Sequence, residues 1–238
     1  MIIKTSMRKS SWLAPGVILA LLVSTASSAN EQKRDKQTWT TEFALEDELS
    51  TVGRNPYFIL EPGYSLVLEK GPDQLTITVL NDTRKIGAVE TRVVEEKETA
   101  SGKLVEISRN YFAISRRTNS VFYFGEEVDL YKNEKVVAHS GAWLSGVKGA
   151  KFGLMMPGIT LLGSKYYQEL APGIAMDRAE IVSINEIVVT PAGRFTNCLK
   201  VEETTPLEPG IREYKYYAAG IGLIQDGDLK LARHVRPK

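Results

Sequence analysis

From Asn55 onward the chain is built of short apolar and polar runs, broken by turn-forming pairs about every ten residues. Polar and apolar residues alternate in Thr76-Ile-Thr-Val and Val105-Glu-Ile-Ser. Because successive side chains of a strand point to opposite faces, this period of two predicts strands with one wet and one dry side. The clearest strands are Tyr64 to Glu69, Leu75 to Leu80, Ala88 to Glu96, Leu104 to Ile114, Val121 to Phe124 and Val128 to Tyr131. They continue with Ala179 to Val189, Asn197 to Glu202, Glu213 to Tyr217, Gly222 to Gln225 and Leu229 to Val235. Ser101-Gly102 and Asp226-Gly227 mark two well-specified hairpins. The prediction is an all-β fold: a large curved antiparallel sheet or half-barrel of about 11 strands, in one domain over 55–238.

Two stretches depart from this alternation. Residues 43–49, with Phe43, Leu45 and Leu49 as their apolar points, are read as a short helix within a flexible lead-in over 30–54. Residues 141–163 hold six glycines and the run Leu154-Met-Met-Pro-Gly-Ile-Thr-Leu-Leu, with little alternation. Long irregular segments in compact domains are usually functional or disordered, and this one is too apolar for disorder. Around it fall Trp143, Phe152, Met155, Met156, Tyr166 and Tyr167, which are the candidate ligand-binding residues. The same side chains would equally close the bottom of a sheet core.

The amino end changes where this domain is expected to work. Lys4, Arg8 and Lys9 precede an apolar stretch from Trp12 to Val23 and then small residues up to Ala29, the three parts of a secretory signal peptide over 1–29. The apolar stretch contains Pro15 and Gly16 and is well short of the roughly 20 residues a membrane span needs. Cys198 is the single cysteine, so neither a lipid-bearing cysteine after Ala29 nor an internal disulfide is available. The expectation is an exported protein, periplasmic or extracellular, soluble after cleavage and without a membrane span. Within Phe195-Thr-Asn-Cys-Leu-Lys-Val, Cys198 alternates against Leu199 and reads as a small core residue.

Charge and motif searches then remove whole classes of chemistry. Cleavage takes Lys4, Arg8 and Lys9 from 30 basic residues and none from 29 acidic ones, and this balance argues against a nucleic-acid partner. There is no Gly-x-Ser-x-Gly elbow, no phosphate loop and no complete dinucleotide fingerprint. His139 and His234 with Cys198 give no metal-ligand spacing. No cofactor and no metal are expected. Paired carboxylates are the one catalytic option left, with Glu169, Asp177 and Glu180 as weak candidates beside Tyr166 and Tyr167. Solvated carboxylates at strand ends are the competing reading.

The closing third carries Thr190-Pro-Ala-Gly-Arg-Phe, Thr205-Pro-Leu-Glu-Pro-Gly and Glu213-Tyr-Lys-Tyr-Tyr-Ala-Ala-Gly-Ile-Gly-Leu. Upstream stand Asn55-Pro-Tyr-Phe, Val121-Phe-Tyr-Phe-Gly-Glu and Gly149-Ala-Lys-Phe-Gly-Leu-Met-Met-Pro. Together they resemble a group of uncharacterised bacterial exported β-sheet proteins, and more distantly the half-barrel domains of periplasmic lipoprotein carriers. The resemblance implies a fold and carries no activity. The functional expectation is a non-catalytic binding domain for a small apolar or amphipathic ligand. Its alternatives are a carboxylate-dependent hydrolase of the envelope or extracellular space and an envelope interaction or structural protein.

Overall fold

The computed structural model describes residues 38–45 and 48–236. The export signal read from residues 1–29 lies outside them. Three short strands come first, β1 (Leu49–Ser50), β2 (Gly53–Asn55) and β3 (Phe58–Leu60). Then follow β4 (Ser65–Lys70) and four long strands, β5 (Asp73–Ile86), β6 (Val89–Ala100), β7 (Lys103–Ser115) and β8 (Val121–Lys132). The centre supplies β9 (Lys135–Ala138), β10 (Trp143–Leu144), β11 (Lys151–Met156), β12 (Lys165–Tyr167) and β13 (Glu169–Leu170). The chain ends with β14 (Arg178–Thr190), β15 (Gly193–Thr204), β16 (Glu213–Ala218), β17 (Gly222–Asp226) and β18 (Leu229–Val235).

Thirteen of these strands form one antiparallel path in the order β12-β14-β15-β16-β17-β18-β4-β5-β6-β7-β8-β11-β13. The two end strands of that path, β12 and β13, are consecutive in the chain and joined by Gln168, so the sheet curls into a nearly closed barrel. The free edge of β12 is filled by Thr40, whose N–H donates to Lys165 O at 3.0 Å and whose carbonyl accepts from Tyr167 N–H at 3.0 Å. An unpaired edge is a liability for a sheet, and the lead-in segment removes this one.

The barrel encloses one apolar cluster that includes Leu60, Leu68, Leu75, Val94, Phe112, Tyr123, Ile181, Leu199 and Ile224. The β2–β3 hairpin caps this cluster: Phe58 meets the Phe112 ring edge-on at 5.0 Å, and Asn55 Nδ2 donates to the carbonyls of Asn119 and Pro157 at 2.9 Å each. A second cluster, Ile86, Val93, Tyr111, Ala113, Phe122 and Phe124, lies on the opposite face of β6–β8. Phe43, Leu45 and Leu49 cover it. The fold is thus all-β, with no helix among the described residues.

Several expectations are corrected in detail. The half-barrel of about 11 strands is a nearly closed barrel with 13 on its main path. The strands missed from sequence, β1–β3 and β9–β13, are two to six residues long, too short for alternation to be read. Residues 41–45 and 48 carry no helix; Phe43, Leu45 and Leu49 face the outer apolar cluster instead, because that burial outweighs local preference. The segment read as lead-in also carries strands: β1 pairs with β7 of the main sheet, and β2 forms a separate two-stranded sheet with β3.

Val121 to Phe124 and Val128 to Tyr131 are a single strand, β8, bent through Gly125. Gly125 has φ of 140°, and a Cβ there would run into the Trp143 carbonyl of β10. Cys198 is buried in the barrel core as a free thiol. It is buried together with its neighbour Leu199 because Asn197, at φ 53°, interrupts the alternation.

Candidate functional site

The inner surface of the barrel changes character along its length. On β6, β7 and β8, cross-strand rows can be followed from the capped end. Arg92–Phe112 and Phe112–Tyr123 are followed by Val94–Asn110–Glu126, Glu96–Ser108–Val128 and Glu98–Glu106. Three rows therefore place Glu96, Glu98, Glu106 and Glu126 inside, all buried. The facing wall contributes Glu203 from β15, Lys215 from β16 and Asp226 from β17, also buried. The barrel is apolar at one end and acidic at the other.

Glu126 reaches this layer only because of Gly125. On β8, Tyr123 faces inward and Phe122 and Phe124 outward. The bulge between the Phe112–Tyr123 and Asn110–Glu126 pairs inserts one extra residue and turns Glu126 inward. Uninterrupted alternation would have put Glu127 there, but Glu127 lies outside and pairs with Arg84.

Lys215 Nζ bonds Glu203 at 2.6 Å, and Gln168 Nε2 donates to the other Glu203 oxygen at 3.0 Å. Burial opposes the Lys215 charge, but Glu203 and Asp226 outweigh it and hold the ammonium well above its ordinary range. Asp226 sits directly opposite Lys215 in the β16–β17 ladder, yet neither of its carboxylate oxygens has a hydrogen-bond partner. The same holds for Gln168 Oε1, the Tyr166 hydroxyl and Trp143 Nε1.

Carboxylates crowded away from water favour their neutral forms. Burial first, then the charges of Glu98, Asp226 and Glu126, push the Glu96 carboxyl up to about 8 against the pull of Lys215. Burial raises Asp226 to about 6 despite Lys215, and burial raises Glu126 as well. Tyr123 and Tyr217, also buried beside these acids, are held well above the ordinary phenol range. Tyr123 spends its hydroxyl on Asn110 Oδ1 at 2.5 Å.

A cleft of about 280 Å³ opens at the acidic end. Its walls are mostly aliphatic, with Leu144, Val147 and Ile174 beside the buried Ala150 and Ala171; Glu127 and Lys148 are its exposed charged residues, and Glu126 and Trp143 its buried polar-bearing ones. These two are register partners between β8 and β10. Trp143 packs edge-on against Tyr123 at 5.4 Å. In the apolar half the side chains leave only about 50 Å³, between Tyr64, Leu66, Val79, Met155, Tyr217 and others, and Glu96 borders it. A further cleft of about 390 Å³ lies outside the barrel among Leu45, Ser50, Val89, Glu90 and Arg116.

The sequence-predicted ligand residues divide between these regions. Trp143 lines the cleft, Met155 borders the small apolar cavity, and Tyr166 lies inside beside Glu203. Met156 is core. Phe152 belongs to the outer cluster, between Phe43, Phe122 and Phe124, and Tyr167 lies outside under Trp39.

Of the acidic candidates, Glu169 is fully buried opposite Phe152 in the β11–β13 ladder. Asp177 is close enough to act on Glu126, and its carbonyl accepts from the N–H groups of Gln168 and Glu169. Glu180 stands apart, held by Lys165 at 3.0 Å. Glu169 and Asp177 are therefore backbone neighbours, while Glu180 is engaged with Lys165. Residues missed from sequence are Glu96, Glu98, Glu106, Glu126, Glu203, Lys215 and Asp226; the one signal was Gly125 within a strand.

Among the described residues no group of three or more His, Cys, Asp or Glu side chains could hold a metal ion, and no helix is long and apolar enough to cross a membrane. No family model, curated protein or solved structure matches the chain.

Proposed function

We propose that this protein is an exported, non-catalytic binding domain that takes a small amphipathic ligand into the open end of its barrel. The observation that carries the reading is the cleft of about 280 Å³ with mostly aliphatic walls and the buried side chains of Trp143 and Glu126 among its lining. Ligand sites are typically concave and mostly apolar, with a few convergent polar groups, and volumes from about 300 Å³ upward. The small cavity at the capped end is too tight for a ligand, so the cleft is where one enters.

Catalysis has less support, because Glu180 is committed to Lys165 and none of Glu169, Asp177 and Glu180 lines the cleft. Native mass spectrometry of the purified protein, followed by solvent extraction, tests the proposal. Retention of an amphipathic molecule is expected, and Val147→Glu in the cleft wall should abolish it. Protein that is empty and takes up no amphiphile from a panel would overturn the reading.

A further inference from the structure

Glu126 links the cleft to the buried acidic layer, since it lines the cleft and acts, like Asp226, on Glu96. Asp226, with both carboxylate oxygens unpartnered, is 4% exposed; Tyr166 is 3% and Gln168 is 2% exposed. Gln168 donates to Glu203, Glu203 pairs with Lys215, and Lys215 faces Asp226 across the ladder. Tyr166 lies within the field of the same Glu203. The unsatisfied atoms around this chain are thus acceptors: two carboxylate oxygens, an amide oxygen and a phenol oxygen that can accept.

Buried polar atoms without partners are costly, so a group that supplied donors here would be held firmly. A negative layer with spare acceptors selects a cation that donates several hydrogen bonds. A metal ion does not suit it, since no cluster of ligating side chains has the required geometry among the described residues.

Resting on the binding reading above, we infer that the ligand is an alkylammonium-type molecule. Its primary ammonium head is received by Asp226, Gln168 and Tyr166, and its apolar chain lies along Trp143 and the aliphatic cleft. A primary ammonium carries three donors on a compact charge, which matches the acceptors present. An anionic head would be repelled by the layer, and a neutral alcohol would gain nothing from it.

Titration of tryptophan fluorescence with octylamine, 1-octanol, octanoate and octyltrimethylammonium tests the inference. Octylamine is expected to bind at least tenfold more tightly than the alcohol, octanoate more weakly than either, and the quaternary cation, which cannot donate, between amine and alcohol. Asp226→Asn keeps the shape and removes the charge, and should weaken octylamine at least tenfold while leaving octanol unchanged. Tyr166→Phe should have a smaller effect in the same direction, and circular dichroism verifies that both variants fold. Equal affinity for amine and alcohol, or an Asp226→Asn protein that binds octylamine undiminished, would overturn the cationic head and leave the cleft reading standing. Failure of all four probes to bind overturns both.

Discussion

The two ends of the barrel interior are made by the same strands and do opposite work. At the capped end Phe112 stacks on Tyr123 at 4.6 Å, Phe58 closes over it, and the space left is about 50 Å³. Interiors packed this closely are what stabilise a domain without disulfides, since each buried apolar side chain contributes roughly 1.5–3 kcal/mol. At the open end Glu96, Glu98, Glu106, Glu126, Glu203 and Asp226 share the interior with Lys215. Buried charge is weak evidence for stability, because desolvation offsets much of the attraction. A chain that places these seven charged side chains inside its barrel gains little stability from them, which points to use rather than support.

The comparison can be broken most severely at the capped end. Phe112→Ala should cost about 4 kcal/mol by denaturant unfolding, through lost burial and the cavity left behind. Asp226→Asn, at the other end, should leave stability equal or higher. A comparable loss at both positions would mean that the acidic layer is structural.

Next in size is Lys215→Met, which leaves Glu203 buried without its cation and should cost about 3 kcal/mol. Combining it with Glu203→Gln should recover most of that loss, measured in the same way.

A smaller effect sharpens the electrostatic half of the contrast. Glu96 is raised from 4.5 to about 8 and Asp226 from 3.8 to about 6, so both bind protons more tightly in the folded than in the unfolded chain. Their contribution to stability is therefore complete below about pH 4 and is lost as pH rises through 6 and then 8. Thermal unfolding should show stability falling with pH across this window, by on the order of 1 kcal/mol per unit for each titrating group. The groups facing Glu96 are Glu98, Asp226, Glu126 and Lys215, and Glu96→Gln should remove the part of the slope above pH 6. A slope unchanged in that variant would place the titration elsewhere.

The smallest effect is expected outside the barrel. Lys70 and Asp228 form an ion pair at 2.5 Å with both side chains more than half exposed. Lys70→Ala should change stability by less than about 1 kcal/mol, with any loss disappearing in high salt.

Much of this architecture was legible in the chain. Long alternating runs such as Thr76-Ile-Thr-Val became β5, and Ser101-Gly102 became the turn between β6 and β7, with φ of 52° and 72° at its two residues. The apolar stretch around Trp143, Met155 and Tyr166 was legible as one that has to be packed against something, and those three side chains are buried inside the barrel. That Phe152 and Tyr167 lie on the outer face was not legible, because neighbours on a strand point to opposite faces and the sequence contains no marker for which face is inside. The acidic layer was invisible for a related reason. Glu95, Glu96, Lys97 and Glu98 read as a solvated charged run until β6 is set between β5 and β7, with its even-numbered side chains turned inward.

By itself the sequence determined the strand class, the turns and the reliance on a core, since a two-residue period, turn-forming pairs and a single cysteine are local properties of the chain. Closure of the sheet at Gln168, the inward turn of Glu126 after Gly125 and the meeting of Gln168, Glu203, Lys215 and Asp226 were decided only by tertiary structure. Register between strands distant in the chain sets which charges share one interior, and no local pattern encodes that register.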